Sequence, residues 1–132
     1  MKISTKGRYA LRVMIDIAEN GKGESVSVKD IALRQNISKK YLEQIMTMLS
    51  KADMVKTSRG NVGGYKLTRA PKDYIVGDIL RATEGELAPL DCLTDGAVCN
   101  RKLNCSTHKF WAGLDKVIND YVNGKTLQDL LN

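Results

Sequence analysis

The sequence has no long apolar run. Nowhere does it approach the roughly 18 consecutive apolar residues that a membrane-spanning helix needs, so a membrane partner is not expected. The opening, Met1-Lys2-Ile3-Ser4-Thr5-Lys6, lacks the apolar core of a secretion signal, and a cytoplasmic protein is expected. Histidine is almost missing, with His108 the single copy in 132 residues. The chain also lacks a nucleophile motif and paired carboxylates in an apolar setting, which leaves a thiol-dependent enzyme poorly supported and predicts neither catalysis nor a small-molecule substrate. Its three cysteines contain no C-x-x-C pair. That counts against a zinc ribbon and thioredoxin-type exchange, and in a cytosolic protein three cysteines point to metal or redox chemistry sooner than to a disulfide framework.

What is present suffices for a folded domain, with 42% apolar residues in 132 and no compositional mark of disorder. The net charge of +6 is unevenly placed. Residues 1–70 carry 14 Lys and Arg against 6 Asp and Glu, and residues 71–132 carry 7 against 9. A first part at +8 followed by a second at −2 suggests that the first part alone meets a polyanion.

The stretch Ser38–Lys51 organises the chain. As a helix it sets Leu42, Ile45, Met46 and Leu49 on one stripe, with Lys39, Lys40, Glu43, Gln44, Thr47 and Lys51 elsewhere on its surface. Ser38 can cap it by accepting from an orphan N–H of the first turn. Before it, Ser27-Val28-Lys29-Asp30 has the form of a capping box opening a shorter helix with Val28, Ile31 and Ala32. Two short helices joined at Arg34-Gln35-Asn36-Ile37 describe a helix-turn-helix.

A first helix is expected from Ser4 or Thr5 to about Asn20-Gly21, with Ala10, Val13, Met14, Ile17 and Ala18 on one face. Leu11 and Ile15 widen that face, toward either the core or a second subunit. After Lys51, Met54–Ser58 and Gly64–Thr68 read as strands of a hairpin around a glycine-rich loop. Those glycines lead into a strand and not a helix, so a phosphate-cradling loop fails on context. A hairpin after a recognition helix is a wing, and Arg59 and Gly60 at its tip suit phosphate or minor-groove contact.

Ile75 to about Thr83 reads as a helix, and Glu84 to Asn104 as an irregular loop. Ser106 to Asn123 reads as a long final helix with Phe110, Leu114, Val117, Ile118 and Tyr121 as its stripe, widened by Trp111 and Val122. That apolar surface exceeds what the winged domain must cover, so a dimerisation helix is expected. Thr126 and Asp129 cap a last turn carrying Leu127, Leu130 and Leu131. The predicted fold is therefore mainly α with a small β-hairpin wing: a winged helix-turn-helix over 1–70, then a linker helix, cysteine loop and dimerisation helix over 71–132. Cys92, Cys99 and Cys105 all fall in or at the end of the irregular loop, with His108 three positions beyond the last. If the final helix starts near Cys105, Cys105 and His108 share a face at its positive end, which favours thiolate. Three thiolates and an imidazole complete a tetrahedral set for zinc or an iron–sulfur centre, and spacing alone does not separate the two.

The opening Met1–Ala10, Tyr41-Leu42-Glu43-Gln44 of the recognition helix, and the wing from Ser58-Arg59-Gly60 to Gly63-Gly64-Tyr65-Lys66-Leu67 resemble the Rrf-two (BadM-type) superfamily of bacterial winged-helix transcription regulators. The resemblance covers essentially the whole chain, and the three loop cysteines with Cys105-Ser106-Thr107-His108 look most like its iron–sulfur cluster regulators. It implies a homodimer bound to double-stranded promoter DNA, with Ser38, Lys39, Lys40, Tyr41, Glu43, Gln44, Thr47, Arg59 and Gly60 as the contacting set. It further implies a [2Fe–2S] cluster ligated by Cys92, Cys99, Cys105 and His108, whose presence alters DNA recognition. Nitric-oxide or redox sensing, or a held zinc ion, is the alternative within the same family. Two departures stand out: six residues separate Cys92 from Cys99 where the family usually has five, and Arg8 occupies the place where a nitric-oxide-sensing relative carries an acidic ligand.

Overall fold

In the computed structural model, residues 2–58, 63–94 and 105–132 are described. Helix α1 (Thr5–Gly21) buries Ala10, Val13, Met14 and Ile17, the face set by their spacing. Helix α2 (Val28–Gln35) begins where Asp30 N–H donates to Ser27 Oγ at 3.1 Å, and ends at Asn36, whose φ of 53° is left-handed. Asparagine tolerates that conformation better than most residues. Helix α3 (Lys39–Lys51) opens with Tyr41 N–H donating to Ser38 Oγ at 3.2 Å and buries the Leu42, Ile45, Met46 and Leu49 stripe completely.

Strands β1 (Val55–Ser58) and β2 (Gly64–Leu67) pair antiparallel, Val55 opposite Leu67 and Ser58 opposite Gly64. The other edge of β2 is partly covered, because Val26 and Tyr65 exchange backbone hydrogen bonds of 2.8 and 2.9 Å. Gly64 is needed for this approach: a Cβ there would run into the Val26 carbonyl. Tyr74, fully buried, clips the base of the hairpin. Its hydroxyl donates to Met54 O at 2.7 Å and accepts from Thr68 N–H at 2.8 Å, joining the start of one strand to the end of the other.

A 3₁₀ turn at Pro71–Asp73 leads to helix α4 (Val76–Glu84), and another at Asp91–Leu93 precedes helix α5 (His108–Asn123). The C-terminal stretch returns along the entry to α4. Val76 N–H donates to Lys125 O at 2.9 Å and Leu127 N–H to Tyr74 O at 3.0 Å, which delivers Leu127 into the core. The expected cap of the last turn is present, Thr126 N–H donating to Asp129 Oδ2 at 2.9 Å and Asp129 N–H to Thr126 Oγ1 at 3.3 Å.

Two apolar clusters result. The larger joins α1, α2, α3, the hairpin base, Tyr74, Ile79 and Leu127. The smaller comprises Val76, Leu80 and Leu87, with Leu11, Ile118, Val122 and Leu130 against it. The extra width of α1 is thus used within the protomer, Ile15 packing on the first cluster and Leu11 on both. The broad stripe of α5 resolves into two faces. Ile118 and Val122 lie on α4, whereas Phe110, Leu114, Val117 and Tyr121 point outward, three of them more than 60% exposed.

Candidate functional site

The exposed surface of α3 is the first component. Lys39, Lys40, Glu43, Gln44 and Thr47 are all exposed, because the opposite side of the helix is fully committed to the core. Thr47 Oγ1 donates to the Glu43 carbonyl at 2.9 Å, and among the described residues no ion pair engages the Glu43 carboxylate. The two lysines therefore keep their charge available to a partner. Ser38 caps the helix and Tyr41 is half-buried, its ring edge-on to Tyr9 of α1 with centroids 5.7 Å apart. Arg59 and Gly60 lie outside the described residues.

How α3 is held was not legible from its own pattern. Asp16, on α1, is fully buried at its side chain and accepts from Arg34 Nε at 3.0 Å, a terminal Arg34 nitrogen at 2.8 Å and Gln35 Nε2 at 2.8 Å. This bidentate pairing holds the Arg34 guanidinium above its ordinary pKa, the hydrogen bond to Asp16 being the main cause. Arg12 Nε donates to Gln35 Oε1 at 3.1 Å, a second Arg12 nitrogen donates to the Gln35 carbonyl, and the guanidinium lies 4.9 Å from the centre of the Tyr9 ring. One stripe of α1, Tyr9, Arg12 and Asp16, thus fixes both the turn between α2 and α3 and the first turn of α3. The sequence signal was a charged residue set between Ile15 and Ile17, on a helix whose apolar face is otherwise uninterrupted there.

The cysteine region is the second component. Cys92, a half-buried free thiol, sits in the 3₁₀ turn Asp91–Leu93, which packs against α5. The final helix starts two residues later than expected: Thr107 is its N-cap, so His108 is the first helical residue and Cys105 precedes the helix. Cys105 O accepts from His108 N–H at 3.3 Å, and Cys105 Sγ is 3.4 Å from Thr107 Oγ1. Cys105 and His108 are consequently brought together at the positive end of a 16-residue helix. The turn that carries Cys92 meets α5 further along, where Leu93 lines a polar cavity of about 260 Å³ with Asp115 and Asn119. Among the described residues no group of three or more His, Cys, Asp or Glu stands close enough to hold a metal ion, and Cys99 lies outside them. The donor chemistry suits a thiophilic metal centre, with half-buried Cys92 and Cys105 offering sulfur and His108 an imidazole nitrogen.

Three helices, a two-stranded hairpin directly after the second helix of a helix-turn-helix, and a further helix carrying an exposed apolar stripe define a winged-helix regulator of transcription. The chain belongs to the Rrf2 family, whose model, described as an iron-dependent transcriptional regulator, matches residues 3–132. It is 40% identical over 131 residues to protein rrf2 of Nitratidesulfovibrio vulgaris, covering 99% of this chain and 87% of that protein. Among solved structures, CymR (YrzC), the global cysteine regulator of B. subtilis, is similar with a TM-score of 0.79 and 38% identity over 98% of this chain and 95% of that one. T. potens IscR is similar with a TM-score of 0.78 and 37% identity, over 98% of this chain and 85% of that one. These relatives are regulators and not enzymes, and no helix among the described residues is long and apolar enough to cross a membrane.

Proposed function

We propose that the protein is a homodimeric, sequence-specific promoter-binding regulator that reports iron–sulfur status through a cluster, of the [2Fe–2S] type, held by Cys92, Cys99, Cys105 and His108. The observation that carries the DNA-binding half is the α3 surface, polar, exposed and armed with Lys39 and Lys40, presented by a core that leaves this helix one orientation. Its lysines would neutralise phosphates, while Gln44 and Glu43 have the donor and acceptor chemistry to read adenine and cytosine edges in the major groove. Arg59 and Gly60 would extend the contact along the flanking groove.

The dimer is supported by the outward stripe of α5, since Phe110, Leu114, Val117 and Tyr121 follow the i, i+4, i+7, i+11 spacing of a helix–helix seam and are exposed in the protomer. A second copy of the same helix would cover them. Two recognition helices related by a two-fold axis then meet a partly palindromic site.

The cluster would supply an iron- and redox-dependent link between the loop cysteines and α5. The residues that would respond to it are well placed: Cys92 on a turn already packed against α5, and Cys105 and His108 at the start of the helix that carries the dimer stripe. A cluster held at these four positions would tie Cys92 to the start of α5 and would bias how the two winged units are spaced, which a ligand does only through unequal affinity for the two arrangements. Resemblance to both IscR and CymR makes the cofactor the point to test. Protein purified without oxygen should show visible charge-transfer absorption and about two iron and two sulfide ions per protomer, as a cluster of this type requires. Zinc alone, or no metal with reversible thiol oxidation, would replace the cluster reading by its zinc-holding or redox alternative and leave the DNA-binding dimer standing.

A further inference from the structure

Helix α1 does not cap itself. Ser4 stands at the N-cap position, but its side chain makes no bond to the helix, and the first turn contains no acidic residue. The cap comes from 77–80 residues away. A single oxygen of Glu84, the last residue of α4, accepts from Ser4 N–H at 2.9 Å, Ser4 Oγ at 2.5 Å and Gly7 N–H at 2.9 Å. Gly7 N–H is the third donor of the helix, the one an N-cap side chain normally takes, and a carboxylate there also meets the positive helix end. Gly7 itself makes room for the contact, because a Cβ at that position would collide with the same Glu84 oxygen.

The location matters more than the cap. Directly after Glu84 the chain leaves α4 at Gly85, with φ of 78°, and runs toward the turn that holds Cys92. At the other end of the contact, α1 carries Tyr9 against Tyr41, Arg12 on Gln35 and Asp16 on Arg34 and Gln35. An unbroken series of contacts therefore runs from the start of the cysteine segment, through the first turn of α1, to the helix-turn-helix.

We propose that Glu84 is a positioning residue for DNA recognition, setting the pose of the α2–α3 turn by anchoring the start of α1 at the point where the cysteine segment departs. This rests on α3 being the DNA-facing helix. A local cap would affect only the first turn of α1; a positioning residue affects Gln35–Tyr41 as well.

Two substitutions reach the contact from opposite sides. Glu84→Ala removes the acceptor. Gly7→Ala displaces it while raising the intrinsic helix propensity of α1, so any loss of function cannot come from a weaker helix. Amide hydrogen exchange of the full-length wild type, both single variants and the double variant is measured, with binding to a duplex that the wild-type protein selects from a random-sequence pool. We expect faster exchange at both residues 4–8 and residues 35–41 in each variant, and affinity for the selected duplex lowered by roughly two- to thirty-fold, the range of couplings carried through such contacts. The double variant should be no worse than the poorer single one, because both act on one contact. Exchange altered at residues 4–8 alone, additive losses, or Gly7→Ala binding like wild type would overturn the proposal. Failure of the wild type to select any sequence would count against the DNA reading, while the exchange at residues 35–41 still decides the coupling. If Glu84→Ala does not fold, Gly7→Ala decides both readouts.

Discussion

Breaking the Asp16–Arg34 pair from either side should give unequal losses, with the larger loss from the more exposed partner. Removing one member of a fully buried ion pair costs about 3–5 kcal/mol, mostly because the other charge is stranded without water. Here the partners differ: the Asp16 side chain is 0% exposed and that of Arg34 is 39% exposed. In Asp16→Ala the guanidinium can turn outward and rehydrate, so the loss is limited to the lost charge-assisted bonds discounted for solvent screening, about 1.5–3 kcal/mol. In Arg34→Ala the carboxylate stays in the core with only the Gln35 amide, and the full stranding penalty of about 3–4 kcal/mol applies. Domains of this kind have about 5–15 kcal/mol in total. Urea denaturation of both variants and wild type gives the comparison directly, with the slopes checked for constancy. Asp16→Ala costing more than Arg34→Ala would show that stranding of the buried carboxylate is not the dominant cost, and losses below about 0.5 kcal/mol in both, the level of an ordinary surface change, would show that the pair is not a structural anchor.

Glu43→Ala should broaden the set of bound sequences rather than weaken all binding, because no ion pair among the described residues occupies its carboxylate; a uniform loss across a randomised site library would argue for a structural bridge instead. Lys39→Ala and Lys40→Ala should each weaken binding to every sequence and lower the slope of log affinity against log salt by about one, which titrations at several salt concentrations would read. Val117→Glu, placed in the middle of the exposed α5 stripe, should yield folded monomer by sedimentation, and an unchanged dimer would remove α5 from the interface. Asp129 is held below its ordinary value of 3.8, chiefly by the Thr126 backbone N–H that it accepts. A depressed carboxyl stabilises the fold above that ordinary value and loses its contribution as pH falls through the folded-state value. Asp129→Asn should therefore lower stability at neutral pH and match wild type in strong acid, read by thermal melts across the range.

Much of this fold is written locally. Helices α1 and α3 declare themselves by stripes at helical spacing, Ser27 and Ser38 cap where a short polar residue precedes such a stripe, and Tyr65 and Leu67 fall on a strand bounded by glycine. What could not be read is long-range or local without a period. The Glu84 cap joins residues separated by 77–80 positions, and nothing around Ser4 announces that its helix is capped from elsewhere. The 3₁₀ turns at Pro71–Asp73 and Asp91–Leu93 are too short to show a repeat. The α5 stripe reads as one broad face because spacing does not say which of two neighbours each residue meets; Ile118 and Phe110 look alike in sequence and differ only by the presence of α4. In the candidate sites the residue types were legible and the relative placement was not: Cys105 falls outside α5 because Thr107 takes the N-cap position.

In the proposed regulator, the state of the cysteine set changes DNA recognition. That dependence is tested most directly by binding isotherms for one wild-type preparation, divided into cluster-loaded and cluster-stripped halves, on the same promoter duplex at one salt concentration, with iron measured on each sample. The two halves should differ in affinity or site preference, and Cys92→Ala, Cys99→Ala and Cys105→Ala should all behave like the stripped half. Superimposable isotherms for loaded and stripped protein, with iron present in one and absent in the other, would contradict it.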